Sequence, residues 1–204
     1  MIGIIDYGAG NFTSVFNALN AVSRDVKIIA NKRDFVNCTH IVLPGVGTFG
    51  AAVSKLNTMD LTGALRENVI DKGKFFLGIC VGMQLLADVG YEFGEHRGLE
   101  YIRGKVVKLD VDSSELFLPH MGWNGVLNPD DSPLFKGLDE DASFYFVHSY
   151  HFIADDKNLK TVNTFYGKEF VSALSSGNIH GVQFHPEKSQ FCGLKVLSNF
   201  ISLR

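Results

Sequence analysis

Residues 75–86, FFLGICVGMQLL, set one of only three cysteines between two glycines, Gly78 and Gly82. Glycines two positions before and after a nucleophile let a strand turn directly into a helix without side-chain collisions. Such a turn would put Cys80 at a helix N-terminus, where unpaired N–H groups and the helix dipole favour a thiolate. It would also aim the Val81 N–H at a developing oxyanion. A free thiol, with a pKa of about 8.5, is only slightly ionised at neutral pH, so this activation matters. The same residues also read as a buried apolar strand with a core cysteine, and the spacing alone leaves both readings open.

A cysteine nucleophile needs a base. His185 lies in GVQFHPEKS at the end of an apolar run, and Glu187 two residues on can emerge on the same side. Pro186 between them fixes the backbone and forgoes a ladder hydrogen bond. A carboxylate beside an imidazole holds its tautomer and stabilises the imidazolium. An exposed strand end with a salt-bridged Glu is the plain alternative. A second oxyanion donor is expected from LPGVGTF, residues 43–49, where Gly45 and Gly47 let the backbone at Val46 and Gly47 approach a ligand. Read alone, that segment is equally a βα turn. Cysteines 38, 80 and 192 are odd in number and lack a CxxC spacing, which argues against a disulfide framework or a zinc knuckle and for a reducing, cytoplasmic compartment. His120, His148 and His151 have no carboxylate–histidine spacing, so they read as structural or interfacial, and neither metal nor cofactor is expected.

Groups this far apart in sequence must meet at the ends of neighbouring strands. IGIID (2–6) reads as a buried strand, DVKIIA (25–30) and HIVLPG (40–45) as a second and a third strand, and KFFLGI (74–79) as the next central strand. Between them, Phe12, Val15, Phe16, Leu19 and Val22 recur at helical spacing with Asn11 as a cap, a short polar helix surrounds Asp34, and a helix is expected over 49–71. GMQLLADV (82–89) reads as a helix. This alternation predicts an α/β fold with a parallel sheet. From 104 to 179 the runs KVVKLD, SFYFVHSYHFI, LKTVNTFY, FVSAL and NIHGVQF read as antiparallel strands added to that sheet, and a last helix closes the chain. No repeat or linker interrupts it, so residues 1–204 are expected to form a single domain. With 46% hydrophobic residues, a net charge of −3 and acids outnumbering Lys and Arg, the composition argues against nucleic-acid binding. No segment reaches membrane length and no basic leader precedes Asp6.

As a set, GICVGMQLL and GVQFHPEKS resemble the class I, or triad, glutamine amidotransferases. DYGAGN, LPGVGTF, LPHMGWN and YFVHSY resemble, within them, the family of glutaminase subunits of imidazole glycerol phosphate synthases. The resemblance implies a flavodoxin-like fold, a mostly parallel central sheet flanked by helices with added antiparallel strands. It implies Cys80, His185 and Glu187 as a triad acting on glutamine, with Gln84 contacting that substrate. The peptide at Val46 would reorient to complete, with Gly47 and Val81, an oxyanion hole. Ammonia released into water at pH 7 is mostly ammonium and no longer nucleophilic. A chain with little beyond a glutaminase therefore makes sense beside a synthase, which the resemblance implies is a (β/α)₈-barrel cyclase. Met121 and Trp123, the only tryptophan, sit in a Pro/Gly-rich segment read as a loop and suit an interface core; internal packing of Trp123 is the alternative. The resemblance also turns Asn11, Tyr145 and Lys188 towards the partner. Rival readings are a paralogue feeding a surface-sugar amination, a free-standing thiol γ-glutamyl hydrolase, and a flavodoxin-like binding module with DYGAGN as a phosphate loop.

Overall fold

Apolar runs buried on both faces belong at the centre of a parallel sheet. IGII, HIVL and FFLGI lie there, and VKII forms an edge with only Ile29 buried, in the computed structural model. It describes every residue except Ala9, within DYGAGN, Ser113 and Glu115, and the side chain of Asp131. In chain order the strands are β1 (Ile2–Ile5), β2 (Val26–Ile29), β3 (His40–Leu43), β4 (Phe75–Ile79), β5 (Val89–Gly90), β6 (His96–Arg97), β7 (Gly104–Lys108), β8 (His120–Gly125), β9 (Ser143–His148), β10 (Tyr150–Ala154), β11 (Lys160–Tyr166), β12 (Lys168–Ser176) and β13 (Ile179–Val182). The α-helices are α1 (Phe12–Val22), α2 (Phe49–Thr58), α3 (Thr62–Arg66), α4 (Val81–Gln84) and α5 (Gln190–Ile201).

The main sheet runs β11-β12-β13-β4-β3-β1-β2. Its β2-β1-β3-β4-β13 part is parallel, and β12 and β11 continue it antiparallel. Every residue of β1, β3 and β13 is buried, so both faces of the sheet are covered. Helix α1 packs with α5, and α2 lies against α4. This is the flavodoxin-like strand order, whose ligands collect beyond the carboxyl ends of the parallel strands. Three adjacent carboxyl ends, those of β3, β4 and β13, lead into residues 44–47, Cys80 and residues 183–185. Among the described residues no helix is long and apolar enough to cross a membrane.

Several expected elements come out differently. NIHGVQF pairs parallel with β4 through Ile179–Val182 and only its other edge is antiparallel, against β12. SFYFVHSYHFI splits at Ser149 into β9 and β10, which join two smaller sheets, β8-β9 and β10-β7-β5-β6. Apolar runs this short carry no information on which edge they pair with. The helix expected over 49–71 breaks at Asp60, whose φ of 53° is left-handed, and ends in a π-helical turn over Glu67–Asp71. The helix expected over 82–89 stops after one turn. The carbonyls of Leu85 and Leu86, which a longer helix would use, instead accept the N–H groups of Leu99, Tyr101 and Ile102. LPHMGWN, read as a loop, is mostly strand β8.

Six histidines are buried in this fold: His40, His120, His148, His151, His180 and His185. His120, His148, His151 and His180 are all buried, and burial pushes them down to about 4, 3, 4 and 4 respectively. His120 and His148 bond to each other, Nδ1 to Nε2 at 3.1 Å. A histidine whose pKa falls on folding gains its proton only when the chain opens, so the unfolded state binds more protons between pH 6.5 and about 4. The melting temperature should therefore fall as pH drops through 6.5, where each such histidine removes up to about 1.4 kcal/mol per pH unit. A melting temperature constant from pH 7 down to 5 would contradict neutral burial of these rings.

Candidate active site

Burial does not tell the cysteines apart: Cys38 is 3% exposed and Cys80 4%. The backbone does. Cys80, between β4 and α4, has φ 53° and ψ −110°, a left-handed conformation that costs a non-glycine residue about 1–3 kcal/mol. The surrounding glycines make the turn possible. A Cβ on Gly78 would fall on the Gly82 carbonyl, and one on Gly82 would fall on the Leu43 carbonyl at the end of β3. A Cβ on Gly45 would lie 2.7 Å from the Gly82 nitrogen. The turn and the segment after β3 thus interlock by backbone alone. Cys38, by contrast, packs against Gly3, and burial raises its thiol pKa. Because α4 is one turn long, the macrodipole expected from a longer helix is small. What it offers is the set of N–H groups at its start, beginning with Val81, which have no intrahelical acceptor.

His185 follows β13, and its Nδ1 lies 2.8 Å from Glu187 Oε1, with neither side chain exposed. The Asn11 amide donates to the same oxygen at 3.0 Å. The expected side-chain cap of α1 by Asn11 is absent; its side chain is buried behind Glu187 instead. Backbone anchors fix the imidazole: the His185 N–H donates to the Tyr145 carbonyl at 2.9 Å, and the Ser189 hydroxyl donates to the His185 carbonyl. The other nitrogen, His185 Nε2, is buried with no hydrogen-bond partner among the described residues, which leaves it available to Cys80 on the same pocket wall. Burial would lower the His185 pKa, but the Cys80 thiolate, and then Glu187, outweigh it and raise it to about 10. Burial would raise the Glu187 pKa, but His185 and then Asn11 outweigh it and hold it below its ordinary value. The arrangement favours an imidazolium facing Cys80 and backed by the Glu187 carboxylate.

A pocket of about 180 Å³ opens in front of Cys80. Val46 and Gly47 line one side, and Val81, Gln84 and His185 line it around the thiol. Gln84 reaches it with its orientation fixed: Nε2 donates to the Tyr150 carbonyl at 2.9 Å and to Gln183 Oε1 at 3.0 Å. Both amide hydrogens are thereby used, and the Gln84 oxygen is the group left for a ligand. Sequence reasoning missed two residues at the site. Glu92, in a segment without periodicity, lines the pocket and accepts the Phe49 N–H at 2.8 Å. Gln183 is fully buried against the thiol; its place two residues before His185, with the same side-chain parity, was the available clue.

The remaining expected residues gather on one outer surface. Trp123 pairs with Tyr145 across β8 and β9, and Met121 with Val147. Met121 is 62% and Trp123 49% exposed, which rules out internal packing of the tryptophan. The Trp123 and Tyr145 rings meet edge to face at 6.2 Å, and Lys188 Nζ stands 5.6 Å from the Tyr145 ring centre. This surface sits directly over the strand that anchors His185.

Residues 3–202 match the family Glutamine amidotransferase class-I, and the chain belongs to it. Within it the chain is 46% identical to the imidazole glycerol phosphate synthase subunit HisH of Sulfurimonas denitrificans, over 100% of this chain and 99% of that one. It is 44% identical to the subunit of the same name from Aquifex aeolicus, over 97% and 94%. Solved structures agree on the fold. A glutamine amidotransferase superposes with a TM-score of 0.74 at 16% identity over 98% of both chains. A putative GMP synthase subunit from Thermoplasma acidophilum gives 0.72 at 22% identity, over 98% of this chain and 91% of that one.

If the turn at Cys80 depends on backbone interlock, Gly82→Ala should lower the melting temperature by about 5–10 °C, corresponding to roughly 3 kcal/mol of overpacking. Gly63→Ala, in α3 with open space around it, should be neutral or slightly stabilising. Equal melting temperatures for both variants would show the glycine contacts to be unimportant.

Proposed function

We propose that this chain is the glutaminase subunit of an imidazole glycerol phosphate synthase, hydrolysing glutamine to glutamate and passing the ammonia to a synthase subunit for histidine biosynthesis. The observation that carries the glutaminase half is the left-handed Cys80 between β4 and α4, facing the buried His185–Glu187 pair. In this reading the Cys80 thiolate attacks the side-chain amide carbon of glutamine. The carbonyl electrons move to oxygen, and the oxyanion is met by the Val81 N–H and the backbone at Val46 and Gly47. As the intermediate collapses, its C–N bond breaks and His185 gives its proton to the departing nitrogen. A water then adds to the γ-glutamyl thioester while His185 takes its proton, the C–S bond breaks, and glutamate leaves. Glu187, held by Asn11, keeps the imidazole turned towards the sulfur throughout. Gln84, through its oxygen, and Glu92, through its negative charge, suit the α-ammonium end of the substrate.

The synthase half rests on full-length similarity to subunits of that name and on the exposed Met121–Trp123 hairpin. Contiguous apolar surface of this kind suits a permanent partner. We assign that partner as a (β/α)₈-barrel cyclase, with Met121, Trp123, Tyr145 and Lys188 at the contact and residues 1–204 acting as one domain in the cytoplasm.

The test is glutamine hydrolysis by the purified chain, alone and with a cyclase subunit plus its nucleotide substrate. Strong activation in the complex is expected; brisk hydrolysis indifferent to the cyclase would mark a free-standing hydrolase. In the complex, Cys80→Ser should fall below about a hundredth of wild-type turnover, since a lost covalent nucleophile removes several kcal/mol of barrier stabilisation. Trp123→Ala should weaken complex formation while moving the melting temperature of the isolated chain by no more than about 2 °C. A large thermal loss with intact binding would oppose the interface.

A further inference from the structure

Gln183 is an uncharged residue with 0% exposure, placed against the sulfur of Cys80. Its backbone N–H donates to the Ser172 carbonyl at 2.8 Å, which pins the residue at the end of β13. Its side-chain nitrogen lies 3.6 Å from Cys80 Sγ, and its oxygen accepts from Gln84. An amide can ordinarily flip by half a turn. Here it cannot, because the bonds behind it have fixed polarity.

The fixed point is the Tyr150 carbonyl, which can only accept. It receives His148 Nδ1–H and Gln84 Nε2–H, each at 2.9 Å. That sets the Gln84 amide with nitrogen inward, so its second hydrogen needs an acceptor. Gln183 Oε1 supplies it, and the Gln183 N–H must then face Cys80. A backbone carbonyl two side chains away thus dictates that a donor, not an acceptor, meets the nucleophile.

We propose that Gln183 is a second donor to the Cys80 thiolate, beside His185, held in that role by the Gln84–Tyr150 chain. A hydrogen bond to sulfur favours the thiolate, because a neutral thiol is a poor acceptor. The same donor serves the leaving group when the thioester C–S bond breaks and the electron pair returns to Cys80 Sγ. The proposal rests on Cys80 being the nucleophile, as assigned above.

The experiment is the pH dependence of Cys80 alkylation by iodoacetamide, read at Cys80 by mass spectrometry so that Cys38 and Cys192 do not interfere. Wild type and Gln183→Met are compared in full-length protein whose folding is checked by thermal melting. Loss of the donor should raise the apparent pKa of alkylation by about one unit or more, the size expected for a hydrogen bond to a charged group. Gln183→Glu keeps the shape, replaces the donor with a carboxylate and should raise it further, so it serves if the methionine variant folds poorly. An apparent pKa unchanged in the folded variants would overturn the role of Gln183. A wild type whose Cys80 fails to alkylate below pH 9 would instead overturn the nucleophile assignment beneath it.

Discussion

Everything at the pocket hangs on the left-handed backbone at Cys80. A side chain at φ 53° is tolerated only where its neighbours leave no other path, and here those neighbours are bare backbone. Gly78 and Gly82 close on each other, Gly82 closes on the end of β3, and Gly45 closes on Gly82. Parallel pairing supplies the alignment, with Gly78 opposite both Leu43 and Gly181. The three strand ends that carry residues 44–47, Cys80 and His185 therefore emerge side by side. Local strain is held by the sheet, and in return the sheet delivers a thiol, a base and a glycine-bearing strand end to one small pocket.

Charge in this molecule is decided by partners more than by residue type. His120, His148, His151 and His180 are pushed towards neutrality because burial acts on them with little to oppose it. His185 is as buried as they are, yet it is driven the other way by Cys80 in front and the Glu187 carboxylate behind. The difference is geometric: His185 meets two groups of opposite charge, whereas His148 meets a carbonyl and another histidine. The neutral pair is still part of the site, because His148 shares the Tyr150 carbonyl with Gln84. Polar groups from β8 to β13 thus form a connected set that meets at the Tyr150 carbonyl and, through Gln84 and Gln183, reaches Cys80.

The β8-β9 hairpin shows how one ribbon can serve both core and surface. Side chains alternate along a strand, so His120, Phe144, Phe146 and His148 face inward while Met121, Trp123, Tyr145 and Val147 share the other face. From this ribbon Val147 and His148 line the pocket, while Met121 and Trp123 lie exposed on the outer face. Any partner pressing on Trp123 and Tyr145 would press on the same strand whose carbonyl holds the His185 N–H.

Elements with strong local signatures were legible along the chain before it folded. Short apolar runs specified β1 to β4, helical spacing specified α1, and the glycine–cysteine–glycine and histidine–proline–glutamate spacings picked out the residues that meet at the pocket. These signals are local because a strand's burial and a turn's glycine requirement are written within a few residues. Other features exist only through contacts between distant segments. The helix after Cys80 ends at Gln84 because residues 99–102 capture its carbonyls. Asn11 serves Glu187 because α1 brings it there across 176 positions. NIHGVQF becomes the last parallel strand because β4 offers an open edge. Gln183 and Glu92 acquire chemical meaning only from what stands opposite them. Hydrogen-bond partners distant in sequence leave no periodic trace along the chain, so only the folded protein reveals which polar groups meet.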